Sequence, residues 1–179
     1  MDYLKALRDD PDLAEKFDSL FDFFLLDELS PRDEVDGQAT FTLPGMAFDR
    51  DGSGGEYHLL EDGSIGYYSS EGEAGRLAES MDDLFSLIVS CICWHDCCDA
   101  KQYVDSKTLE EYGQRQRNTN LEDMDSLRRV SDALGIPTGE PLAPVLERFR
   151  KATQREPVYQ CIFHEDDGSL TESYGLMFE

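Results

Sequence analysis

Apolar and polar positions alternate along this chain with two periods, and the changes of period divide it into elements. Near the N-terminus Asp10 is placed to cap a helix and Pro11 suits its first position. Leu13, Phe17, Leu20, Phe21, Phe24 and Leu25 then recur at spacings of three and four, which predicts an amphipathic helix facing a core and fading by Ser30-Pro31. Pro31 to Gly37 reads as a charged connector. Ala39 to Leu43 alternates as a strand, Pro44-Gly45 punctuates it, and Met46-Ala47-Phe48 leads into the turn Asp51 to Gly55. Glu56 to Leu60 and Ile65 to Ser69 form a hairpin around Asp62-Gly63. Glu71 to Glu79 reads as a short segment interrupted by Gly72 and Gly75.

Ser80 caps the strongest helical pattern, with Asp82 and Asp83 in its first turn. Leu84, Leu87, Ile88, Cys91, His95 and Cys98 trace one stripe, and Phe85, Val89 and Ile92 widen it, so this helix is expected to be buried on the sheet. Three further helices are expected. Ser106 to Arg117 is broken by Asn118-Thr119-Asn120. Glu122 to Leu134 turns Met124, Leu127, Val130 and Leu134 inward and is closed by Gly135. Pro141 to Arg155 follows a linker bounded by Pro137 and Pro141. Val158 to Phe163 and Leu170 to Phe178 read as strands around the turn Glu165 to Ser169. The pattern as a whole predicts an α+β fold: an antiparallel sheet of about four to six strands, packed by helices, with a mostly helical extension over 99–179.

Charge adds a second layer. The 179 residues carry a formal net charge of -23. Residues 1–100 hold 24 acids against 6 bases, and the remainder holds 15 against 10. Such a field disfavours nucleic acid and anionic lipid and speeds encounter with a basic protein. No apolar run approaches the roughly 18 residues needed to span a bilayer, and no signal-peptide pattern opens the chain, so a cytoplasmic location is expected. Five cysteines, four of them between Cys91 and Cys98, do not make a secreted disulfide framework.

Candidate chemistry is sparse. Asp49-Arg50-Asp51-Gly52-Ser53-Gly54-Gly55-Glu56 lacks the glycine and glutamate positions of a calcium loop, and its carboxylates would repel phosphate. It reads as a glycine-rich strand entry. Cys93 and Cys97 have the spacing of one zinc pair if a helix continues there, with Cys161 or His164 as conceivable partners; buried thiols are the competing reading. No G-x-S-x-G or similar activating context surrounds a serine, and of the three histidines, His58, His95 and His164, the first reads as mid-strand and the second as mid-helix. No enzyme, metal or cofactor is therefore expected.

The order Phe48-Asp49-x-Asp51-Gly52-Ser53-Gly54-Gly55-Glu56-Tyr57, then Leu60-Glu61-Asp62-Gly63-Ser64-Ile65-Gly66-Tyr67, then a Ser-Met-Asp-Asp-Leu helix, resembles the SUKH superfamily (Smi/Knr-like proteins). The resemblance covers roughly residues 12 to 98, and the chain after residue 99 exceeds a minimal member. It implies an antiparallel sheet packed by helices and a non-catalytic role in binding protein. Many bacterial members are immunity proteins that neutralise toxins passed between competing cells, often nucleases. A basic toxin domain is then the expected partner. The expected contact surface is the acidic edge of the meander: Asp49, Asp51, Glu56, Glu61, Asp62, Glu71 and Glu73. Two alternatives stand beside it: a scaffold of the same family serving a cellular partner, and a zinc protein built on Cys91 to Cys98.

Overall fold

The structure, a computed structural model, describes residues 1–35, 39–138 and 141–178, with the side chains of 33–35 left aside. It opens with α1 (Tyr3–Asp9) and α2 (Pro11–Phe21). Asp10 caps α2 by accepting a hydrogen bond from the Leu13 amide at 3.2 Å, and Pro11 stands at the helix start. The helix does not reach Ser30. It stops at Asp22, whose φ of 53° is left-handed, a conformation that a short polar side chain tolerates. Reversing the chain there buries Phe21 and Phe23 together. Phe23 packs against Phe17, Phe48, Tyr57 and Phe85, which outweighs the helical periodicity of the next four residues. The next residues form β1 (Phe24–Val35), so Phe24 and Leu25 belong to a strand, and the expected connector from Pro31 is strand as far as Val35. Asp36 and Gly37, its last two residues, lie outside the described residues.

Next comes β2 (Ala39–Arg50), which passes through Pro44-Gly45 without a break. Pro44 falls in the gap between two ladders: Ala39–Phe41 pair with β6 (Cys161–His164), and Gly45–Arg50 pair with β3 (Glu56–Leu60). Its missing N–H therefore costs no ladder bond. The meander continues through β4 (Ile65–Tyr68) and β5 (Ala74–Ala78). β5 was expected to be an interrupted segment. Instead Gly72, at φ 86°, makes the turn, and Gly75 gives the backbone room: a Cβ there would meet Leu176 at 2.6 Å. With β7 (Leu170–Glu172) the antiparallel sheet has seven strands in the order β5-β4-β3-β2-β6-β7, with β1 laid along β2. The sheet curls until Tyr174 bridges to Glu73, where the Ala74 amide donates to the Tyr174 carbonyl at 2.8 Å.

Ser80 caps α3 (Met81–Cys91) as expected, accepting from the Asp83 amide at 3.2 Å. The helix ends at Cys91 because Ile92 adopts φ 68°. His95 and Cys98 are thus off its stripe, and Trp94–Cys97 is a short 3₁₀ turn. The last helices are α4 (Ser106–Asn120), α5 (Met124–Leu134) and α6 (Leu142–Thr153). Met124 is exposed, while Leu127, Val130 and Leu134 face inward.

The main core lies between the sheet and the helices and takes side chains from all six of them, from Leu7 and Phe17 to Leu109, Leu127 and Phe149. The helices after residue 99 are therefore part of that core. A second cluster, Phe41, Leu60, Tyr159 and Cys161 with Ala39 and Ala74, has no helical residue in it. Among the described residues, no helix is long and apolar enough to cross a membrane.

Candidate functional site

The seven acids expected to form one contact surface are divided by the fold. Glu61 and Asp62 occupy the β3–β4 turn. Glu56 starts β3, roughly 13 Å away at about 3.3 Å per residue, near the turn that holds Glu71 and Glu73. Glu71 is exposed and Glu73 half-buried. Asp62 is exposed, but Ser64 and the guanidinium of Arg155, at 2.8 Å, tie it down. Glu56 is the centre of an ion cluster: it accepts from Arg32 at 2.8 and 3.0 Å and from Arg50 at 3.0 Å, and lies 3.2 Å from the His58 ring. Burial alone would raise its carboxyl, but His58 and Arg32 hold it well below the ordinary range. Glu56 is thus occupied within the protein.

Asp49 and Asp51 do not point outward at all. Asp51 is buried and organises its own turn, accepting from the Ser53 amide at 3.0 Å, the Gly55 amide at 2.8 Å, the Ser53 hydroxyl at 2.7 Å and the Tyr67 hydroxyl at 2.5 Å. Burial opposes its ionisation, yet these donors bring it below the usual value. Asp49 follows a β-bulge between Ala47 and itself, and a bulge turns an extra side chain to the same face. Phe48 and Asp49 are both fully buried as a result. Neither Asp49 carboxyl oxygen meets a donor in full hydrogen-bond geometry, and the Phe24 backbone acts on it only weakly. Burial, then Asp51, Asp18 and Asp22, push its pKa up to about 9, with only slight relief from the Phe24 backbone.

These neighbours lead to a site that pattern reading did not find. α2 buries Leu13, Phe17 and Phe21 and turns Asp12, Glu15, Lys16 and Ser19 outward. Against that face stand Asn120 at the end of α4, then Glu122, and Asp123, which caps α5. The two walls enclose a groove of about 400 Å³. Past Ser19, Leu20 and Asn120 it runs into a smaller cleft of about 240 Å³, with Asp22, Asp51, Cys93, Trp94 and His95 around it. Lys16 is the one lysine or arginine lining either part among the described residues, and Asp12 pairs with it at 2.5 Å. Arg129 also acts weakly on Asp12 and Asp123.

The deep cleft has a rigid frame. The exposed His95 ring stacks on Trp94, with centroids 3.7 Å apart. Trp94 donates to the Tyr57 hydroxyl at 2.9 Å, and His95 lies 3.1 Å from the Tyr67 hydroxyl. Although part of it stays exposed, packing on Trp94 and Tyr67 desolvates the His95 imidazole and lowers it, against the pull of Asp51, Asp96 and Asp22. The chain His95–Tyr67–Asp51 holds Asp51 in place, and burial and the Asp51 carboxylate push the Tyr67 hydroxyl well above its ordinary range. Asp22 lies over Gly52, where a Cβ would meet its carboxylate at 2.7 Å. Chemically, the arrangement is suited to receiving positive charge.

The cysteines form no comparable site. All five are free thiols, and Cys93 and Cys97 no longer share a helix. The neighbouring Cys97 and then burial push the Cys91 thiol up, and burial pushes the Cys98 thiol up. Among the described residues no three His, Cys, Asp or Glu side chains gather so as to hold a metal ion.

Of the expected contact acids, the structure brings only Asp49 and Asp51 to the groove, one behind its wall and one lining it. Asp12, Glu15, Asp22, His95, Glu122 and Asp123 went unnoticed in the sequence. The polar face of α2 was the available signal for the first two. No family model matches the chain, and no curated protein or solved structure matches it.

Proposed function

We propose that this chain is a non-catalytic protein-binding module of SUKH type, acting in the cytoplasm as an immunity protein that neutralises a basic toxin domain such as a nuclease. The observation that carries this reading is the groove, where six carboxylates (Asp12, Glu15, Asp22, Asp51, Glu122 and Asp123) line a continuous depression with one lysine. A cationic toxin surface would be drawn to it from a distance and oriented on contact. Occlusion of the toxin's polyanion-binding surface would then suffice, with no reaction on the immunity protein's side. The order of turns and strands from Phe48 to Cys98 supplies the family part of the proposal.

The test is co-expression with the product of a toxin-like reading frame beside the gene, scored by growth and by complex formation. Asp12→Lys, Glu15→Lys and Glu122→Lys together are expected to slow association at least about tenfold at low salt and to abolish protection. Glu61→Lys with Glu71→Lys, on exposed turns outside the groove, is expected to leave both unchanged. Full protection by the triple variant would refute the groove as the contact surface.

A further inference from the structure

We infer that the deep end of the groove is a socket for a single arginine side chain of a basic protein partner, its guanidinium held between Asp22 and Asp51 beside the His95 ring and facing the buried carboxyl of Asp49. This rests on the reading of the groove as a protein-binding surface and names what the groove recognises.

The cleft holds about 240 Å³, below the usual range for drug-sized ligands and suited to one side chain. Acidic lining alone would not make it a site. The independent observation is Asp49: fully buried, with neither oxygen meeting a donor in full hydrogen-bond geometry. Such a group is an exception among buried polar side chains and calls for a partner. Its register partner Tyr57 shares its face of the sheet, and Tyr57 bonds to Trp94 in the cleft wall. The bulge thus keeps the carboxyl on the core face, within electrostatic reach of Asp51 and Asp22, which line the cleft. Its charged surroundings are Asp18 and Asp22 from the α2 side and Asp51 from the β2–β3 turn, with Tyr57 from β3. No cation stands among these neighbours in the described residues.

Two features favour a guanidinium over an ammonium. The exposed face of His95, stacked on Trp94, offers a flat ring on which a planar cation can lie. Asp51 spends Oδ1 on three donors and Oδ2 on Tyr67 alone, so Oδ2 retains capacity toward a forked donor.

Asp49 supplies a distinctive readout. Since its pKa lies at about 9, it carries a proton at neutral pH. A cation nearby would favour the ionised form and expel that proton, so binding tightens as pH rises.

Trp94 is the only tryptophan and lines the cleft, so its emission reports directly on occupancy. The probe is acetyl-arginine amide, with acetyl-citrulline amide as its neutral isostere. A saturable change with arginine and none with citrulline is expected. Affinity should rise about tenfold between pH 7 and pH 9. Asp22→Asn, a substitution that keeps the left-handed backbone, should weaken binding at least about fivefold. Asp49→Asn, isosteric and uncharged, should abolish the pH dependence. A silent Trp94, an equal response to citrulline, or a pH slope surviving in Asp49→Asn would overturn the socket. A silent socket together with toxin binding that still depends on Glu15 and Glu122 would overturn the socket alone. Toxin binding indifferent to those residues would overturn the groove reading instead.

Discussion

Asp49 and Glu56 stand one register step apart on the β2–β3 hairpin, yet their carboxyl groups meet opposite surroundings. Glu56 lies on the face that carries Arg32, Arg50 and His58, and every bond it can accept is supplied. Asp49 lies on the core face, among Asp18, Asp22 and Asp51, with neither oxygen meeting a donor in full hydrogen-bond geometry. One acid is drawn below its usual pKa and the other pushed to about 9. Net charge therefore does not identify the acids available for recognition. What distinguishes them is whether the fold has already supplied a counter-charge.

The largest expected effect breaks the satisfied member of the pair. Glu56→Ala leaves Arg32 and buried His58 without their common acceptor and should cost about 3 kcal/mol in urea unfolding. A loss below about 1 kcal/mol would place the cluster with ordinary surface pairs.

The second effect has the opposite sign and depends on pH. Asp49 has a folded pKa raised from 3.8 to about 9, so its contribution to stability is fully present below pH 3.8 and is lost as pH rises to about 9. Asp49→Asn should therefore raise stability at pH 8 and leave it unchanged at pH 3.5. Glu56 runs the other way: its contribution is present above pH 4.5 and fades as pH falls toward its depressed folded value. Urea midpoints across pH for the two variants should diverge in opposite directions, and parallel curves would break the comparison.

A smaller effect sharpens it. Tyr67→Phe removes a donor to Asp51 and the neighbour of His95, and should cost about 1 kcal/mol while raising the Asp51 titration. Least of all, Glu15→Lys and Glu122→Lys should leave the urea midpoint essentially in place, since both are exposed, while slowing partner association.

The fold class was legible because the signals were local. Asp10-Pro11, Ser80 and Gly135 mark helix ends, and Asp62-Gly63 marks a hairpin, whatever the rest of the chain does. The stop at Asp22 was not legible, because Phe23 to Leu26 suits a helix as well as a strand and only packing against Phe48, Tyr57 and Phe85 decides. The position of Asp49 was hidden for another reason. Simple alternation sets Phe48 and Asp49 on opposite faces, and the bulge defeats that rule by one residue. The groove could not be read at all, since its walls come from residues 12–22, 51, 92–95 and 120–126 and meet only in the folded chain.

A neutral carboxylic acid, Asp49, thus lies buried near the acidic groove. Carbon NMR of the side-chain carboxyls, titrated in the free protein, tests this most directly. Asp49 is expected to titrate near pH 9 while Glu56 stays ionised to the lowest pH at which the fold survives. An Asp49 midpoint at its ordinary 3.8 would contradict it.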